Sequence, residues 1–168
     1  MRTNTDRYGE FLGVGIGSEA VPICLKRQLE EIAEIIGNKY YELRYRGFFD
    51  VDFVISKTGV PYAIETNNRR TGGTHVYDIG KRVFGNNNSH WGYLLSEDYL
   101  VYGDRLSKDE SILERVSDLM FRGGGSKKGI IITLLGSKDP FLGYVAVGQN
   151  KRETMDFQVQ FKRLLQVS

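Results

Sequence analysis

The stretch FFDVDFVISKTGVPYAIETN, residues 48–67, decides the reading of this chain. In its first half Phe49, Val51, Phe53 and Ile55 alternate with Phe48, Asp50, Asp52 and Val54, the period of two that a strand with one buried face requires. SKTG then turns the chain into a second alternating run, VPYAIETN at 60–67. The pair predicts an antiparallel hairpin with Phe49, Val51, Phe53, Ile55, Tyr62 and Ile64 on the core face. With the turn centred between Thr58 and Gly59, Asp52 falls opposite Glu65 and Asp50 opposite Asn67, all four on one face. Directly opposed Cβ atoms lie roughly 4.5–5.5 Å apart, so Asp52 and Glu65 are like charges at repulsive range and call for something positive between them. Two carboxylates and an amide carbonyl, completed by phosphate and water, suit a hard divalent ion such as Mg²⁺ or Mn²⁺. A plain solvated face is also polar, and a turn with an odd residue count would slide the register by one and set Glu65 against an apolar residue.

Immediately downstream lies NNRRTGGTH, residues 67–75. Arg69 and Arg70 carry fixed charge on planar donor forks suited to phosphate or carboxylate. Thr71, Gly72, Gly73 and Thr74 can turn their backbone amides toward an anion, and His75 could bind substrate or titrate. The alternative is that the arginines neutralise the acidic strand ends and the glycines only make a turn.

On either side of the hairpin the pattern mixes helices and strands. A helix is predicted from Pro22 to about Tyr40, with Ile23, Leu29, Ile32, Ala33, Ile36 and Tyr40 at helical spacing and Cys24 packed. Val76, Ile79 and Val83 hint at a short helix that GNNNSH breaks, and 93–102 is ambiguous between strand and helix. Ser107 and Glu110 have capping-box spacing ahead of a helix over 108–121. GIIITLL (129–135) and FLGYVAVG (141–148) read as paired strands around Asp139-Pro140. Asn150 and Glu153 cap a last helix burying Met155, Val159, Leu164 and Leu165. The glycine clusters GVGIG (13–17), TGG (71–73) and GGGSKKG (123–129) read as loops or tight turns, with Lys127 and Lys128 solvated. The class is α+β: a mostly antiparallel sheet with packed helices, 1–168 as a single domain.

Composition narrows the function classes. At 168 residues, 40% hydrophobic against 26% charged, the chain has the means for one ordinary globular core. Its 23 basic and 21 acidic residues leave +2, too little to imply a nucleic-acid partner. Cys24, the one cysteine, excludes an internal disulfide and a cysteine-clustered zinc site, and fits a cytoplasmic setting. MRTNTDRYGE lacks the apolar stretch of a secretory signal and no later run reaches membrane-spanning length, so no membrane partner is expected.

With these residues in place, GFFDVDFVISKTGVPYAIETNNRRTGGTH resembles the metal-binding core of the ATP-grasp superfamily, ligases that join a carboxylate to an amine at the expense of ATP. The pattern is an aspartate on one strand, a turn, then Glu-x-Asn on the next, followed by an arginine: Asp52, Glu65, Asn67 and Arg69. The TGGTH loop is similar to that of the pheganomycin-type amino-acid and peptide ligases. The resemblance implies Asp52, Glu65 and Asn67 as Mg²⁺ (or Mn²⁺) ligands, and Arg69 and Arg70 as catalytic cations. Asn67, Thr71, Gly72, Gly73 and His75 would then lie along bound ATP. The substrate carboxylate would attack the γ-phosphate to give an acylphosphate, which an amine then opens with release of phosphate.

Where some members carry an arginine two residues before the aspartate, this chain has Asp50, so charge stabilisation would come from Arg69 or Arg46. The resemblance covers the C-terminal half of an ATP-grasp unit. It therefore implies a partner, the N-terminal, lysine-bearing half supplied in cis or in trans, and little activity from this piece alone. The rival expectation is a degenerate ATP-grasp-like module without catalysis that pairs with another chain, a homo-oligomer included. A weaker third is a polyanion binder using Arg44, Arg46, Arg69, Arg70, Lys127 and Lys128.

Overall fold

The structure, a computed structural model, describes residues 1–5, 11–102, 109–136 and 140–165. In chain order its elements are β1 (Arg2–Thr5), β2 (Phe11–Ile16), α1 (Ile23–Glu42), β3 (Asp50–Ile55), β4 (Pro61–Asn67), α2 (Thr74–Phe84), β5 (Tyr93–Val101), α3 (Asp109–Val116), β6 (Gly129–Leu135), β7 (Phe141–Gly148) and α4 (Lys151–Leu164). The class is α+β with antiparallel strand pairing throughout both sheets: a five-stranded sheet ordered β1-β2-β5-β7-β6 and the two-stranded β3-β4 hairpin. The chain divides into two compact units, Val21–Thr74 and the remainder.

In the larger unit β7 is covered on both faces, and its alternation sorts the core. Leu142, Tyr144 and Ala146 join Ile130, Phe161 and Leu165, along with Ile112 and Val116 of α3. Val145 and Val147 join Val14, Leu94, Trp91 and Val76 of α2 on the opposite side. Of residues 93–102, all but Tyr102 form strand β5, which pairs with both β2 and β7. The predicted 129–135 and 141–148 pair forms as β6 and β7.

GVGIG is not a loop: residues 13–16 lie within β2. The glycines are there for close approach. A Cβ on Gly13 would stand 2.2 Å from the carbonyl oxygen of Ser96, and one on Gly15 would stand 2.3 Å from the Tyr93 hydroxyl. The helix expected over 108–121 gives way after Val116 to a 3₁₀ turn, Ser117–Leu119. Ser107 of its predicted cap and the Asp139 of the β6–β7 turn lie outside the described residues.

Helix α4 has the predicted cap, Asn150 Oδ1 accepting from the Glu153 amide at 2.9 Å, but a different buried face. Met155, Val159 and Leu164 are exposed; Leu165 is buried as expected, together with Thr154 and Phe161. A threonine leads that stripe because its hydroxyl is satisfied, donating to the carbonyl oxygens of Tyr93 and Asn150, both at 2.9 Å. Lys128 is likewise not simply solvated: its Nζ lies 2.9 Å from Glu153 Oε1.

In the smaller unit α1 lays a half-buried stripe of Leu25, Leu29, Ile32, Ala33, Ile36 and Tyr40 toward its neighbours, with no residue fully buried. Gly37 admits the Phe49 ring, which a Cβ would meet at 2.9 Å, and Tyr40 stacks edge-on against Phe49 with centroids 5.4 Å apart. Ile23 is 81% exposed, and Cys24, expected in the packed face, is exposed beside it. Among the described residues, no helix is long and apolar enough to cross a membrane.

Candidate functional site

The hairpin pairs Asp52 with Glu65 and Asp50 with Asn67, but it reaches that register by a route the alternation does not show. Its turn has the odd residue count that should have broken the pairing. Ser56 and Val60 close it, the Ser56 amide donating to the Val60 carbonyl and the Gly59 amide to the Ser56 carbonyl, both at 2.9 Å, with Gly59 left-handed at φ 83°. Next to the turn Ile55, Val54 and Phe53 therefore pair with Pro61, Tyr62 and Ala63. A bulge with Ile64 as the extra residue then restores the acidic register beyond it. The odd turn and the bulge together overturn part of the predicted core face, while Phe49, Val51 and Phe53 stay half-buried. Tyr62 is moved to the Val54 side, 57% exposed, Ile64 is 63% exposed, and Ile55 is exposed as well.

On the acidic face Asp52 is held above the ordinary carboxylate range, first by burial and then by the negative charges of Asp50 and Glu65. The opposing influence is neutral: Asn67 Nδ2 donates to Asp52 Oδ2 at 3.2 Å. Arg69 acts through that amide, its Nη2 donating to Asn67 Oδ1 at 3.2 Å and its Nη1 to the Arg70 carbonyl at 3.4 Å. Among the described residues neither Asp50 nor Glu65 enters a salt bridge. A crowded, partly desolvated carboxylate relieved by an amide has the charge deficit a divalent cation fills, and the donor set is all oxygen. Two features run the other way. No group of three or more His, Cys, Asp or Glu side chains gathers as a metal cage among the described residues. The Asn67 amide also presents its nitrogen, not its oxygen, to Asp52.

The remaining expected site residues are divided. The Arg70 guanidinium carbon sits 4.8 Å from the centre of the Phe48 ring. Thr71 and Thr74 close a turn on themselves, Thr71 N–H to Thr74 Oγ1 at 2.9 Å and Thr74 N–H to the Thr71 carbonyl at 3.0 Å, so those two amides are engaged. Neither Gly72 nor Gly73 takes a left-handed conformation. Arg46, the alternative source of positive charge, lies 3.8 Å over the Tyr41 ring and donates to the carbonyls of Tyr41 and Tyr45. His75 belongs to the larger unit, on α2, where its Nε2 is 3.7 Å from Asp98 Oδ1.

Asp98 is a residue that sequence reasoning missed. Its Oδ1 is buried without a hydrogen-bond partner, and burial pushes its carboxyl up while His75 and Ser96 draw it down. It sits in a second bulge, between Glu97 and Leu100 of β5, and nothing in SEDYL distinguishes a bulged aspartate from an alternating one. No family model and no curated protein matches the chain.

Proposed function

We propose that the β3–β4 hairpin is the divalent-cation and nucleotide-phosphate site of an ATP-dependent carboxylate–amine ligase of the ATP-grasp kind, working on an amino acid or peptide with a complementary half in cis or in trans. The observation that carries this reading is the Asp52–Glu65 cross-strand pair, kept in register by a bulge, with Asp52 held protonation-prone by burial and then by its acidic neighbours. Asp52 and Glu65 would hold Mg²⁺ or Mn²⁺, with Asn67 joining them once its amide turns its oxygen inward. The cation's contribution when bound is to neutralise charge on the transferring phosphoryl group. Without the cation Arg69 holds the Asn67 oxygen outward through its hydrogen bond; when the amide turns, that donor is released, and Arg69 carries positive charge at the strand end, where it can steady phosphate oxygens. Arg70, Thr71, Gly72 and Gly73, of the same unit as the hairpin, stay as nucleotide contacts in this reading, and His75 drops out of it.

The test is thermal melting of the chain with Mg²⁺–ATP and Mg²⁺–ADP. A rise in Tm that Asp52→Asn and Glu65→Gln each abolish supports the site; no rise in the unaltered protein sinks it. The second reading, a non-catalytic module that pairs with another chain, is favoured by the apolar side chains that the smaller unit leaves uncovered: Ile23 at 81%, Ile35 at 69% and Ile64 at 63% exposure. A stable dimer by light scattering, with no nucleotide effect on Tm, would select it.

A further inference from the structure

Beside α4 the larger unit holds a cavity of about 320 Å³, within the size range of small-molecule sites. One wall is a single helical stripe, Lys151, Met155, Gln158 and Lys162; the other is the β5 face carrying Leu95 and Glu97. Glu97 stands directly opposite Tyr144 in the β5–β7 pair, which brings the fully buried Tyr144 hydroxyl under the cavity floor. One oxygen of Glu97 is saturated. Its Oε2 accepts from Lys162 Nζ at 2.7 Å, from the Tyr144 hydroxyl at 2.8 Å and from Gln158 Nε2 at 3.4 Å, while Gln158 Nε2 also donates to Tyr144 Oη at 2.8 Å. Oε1 has no donor among the described residues and is not among the buried orphan atoms, which leaves it as an accessible acceptor on a side chain that lines the cavity.

The charges around this acceptor are unequal. Glu97 cancels Lys162, but Lys151 and Arg2, which also line the space, enter no salt bridge among the described residues. The nearby Glu19 spends Oε1 on the Lys151 backbone amide at 2.9 Å. Leu12, Leu95 and Met155 add an apolar wall. A network of partly buried charges is costly unless something uses it, and this one presents three kinds of contact in one small space: cations, one acceptor and an apolar surface.

We infer that this cavity binds a small carboxylic acid bearing a hydrogen-bond donor beside its carboxylate and an apolar tail, the class of α-amino and α-hydroxy acids. The carboxylate goes to Lys151 and Arg2, the donor to Glu97 Oε1 and the tail to Leu12, Leu95 and Met155. The site owes nothing to the metal reading of the hairpin. Isothermal titration of the full chain with L-leucine, 2-hydroxy-4-methylpentanoate and donor-less 4-methylpentanoate tests it. At least one of the first two should bind about tenfold or more tightly than the third, and whichever wins shows whether the donor is an ammonium or a hydroxyl. Lys151→Gln should weaken that binding about tenfold, while Lys57→Gln, on the exposed hairpin turn of the other unit, leaves it unchanged. Arg2→Gln, on the edge strand, is the second variant should Lys151→Gln fail to fold. The inference is overturned by no binding of either acid at about 10 mM, by equal binding of 4-methylpentanoate, or by full affinity in both variants.

Discussion

Glu97 and Asp52 each sit opposite a cross-strand partner, and they are treated in contrary ways. Glu97 faces Tyr144 and is given three donors, a lysine among them. Asp52 faces Glu65, a like charge, and is given one neutral amide. The first arrangement is complete without a ligand on that oxygen; the second is left short of positive charge. The units around them differ in the same sense. The sheet around Glu97 has core residues at zero exposure on both faces, whereas α1 beside the hairpin has no fully buried residue. Structural stability therefore belongs to the larger unit, and the hairpin carries a charge pattern that costs it part of its own.

The largest expected effect tests the division of stability. Phe161, fully buried against Tyr144 with ring centroids 4.8 Å apart, should cost about 3–5 kcal/mol on replacement by alanine, whereas the exposed Ile64→Ala should stay within about 0.5 kcal/mol. Urea unfolding of the two variants measures the gap, and comparable losses would break the comparison. Next comes Glu97→Ala, which strands Lys162, Gln158 and the buried Tyr144 hydroxyl. A loss of about 2–3 kcal/mol by the same method is expected, against no loss for Asp52→Asn. Gly80→Ala follows: its Cβ would meet the Trp91 ring at 2.3 Å, in a helix interior where alanine is otherwise the better residue. Overpacking should prevail, at a net cost of about 1–3 kcal/mol.

What the sequence made legible has a physical pattern. Strict alternation places Asp50 and Asp52 on one face, and the β3–β4 pairing does set them against Asn67 and Glu65. It could not reveal the bulge, because the three-residue reversal Lys57–Gly59 and the extra residue Ile64 each shift the register by one and cancel at the acidic end. The same cancellation put Tyr62 and Ile64 on the wrong side of the expected core. Hydrophobic periodicity misjudged α4, Leu165 aside, for another reason: a buried threonine with two carbonyl partners looks polar in a sequence, so the pattern favours Met155, Val159 and Leu164 over Thr154 and Phe161. The glycines of β2 read as a loop because the Tyr93 and Ser96 groups that demand them lie about eighty residues away along the chain. The Glu97 network was illegible because its members come from two strands and a helix, joined by no local spacing.

The smallest effect is also the most diagnostic, because its sign depends on pH. Asp52 has a folded-state pKa above its unfolded value, owing to burial and to Asp50 and Glu65. A carboxyl raised in this way favours the fold when protonated. Its stabilisation is present below the unfolded pKa of about 4 and is lost as pH rises through the raised folded value. At pH 7 the ionised Asp52 is therefore a liability, and Asp52→Asn should protect the hairpin, by about 0.5 kcal/mol if the repulsion is that of an ordinary like-charge cross-strand pair. Amide hydrogen exchange at Val51 and Phe53 reads it: slower exchange in the variant at pH 7, converging with the unaltered protein near pH 4. Mg²⁺ should reverse the order at pH 7, slowing exchange in the unaltered protein and not in Asp52→Asn, because the cation gains from the two charges that otherwise repel. A variant advantage that persists at low pH would mean that packing, not charge, sets the difference. An advantage that Mg²⁺ leaves untouched would mean that the acidic face is tolerated without being used.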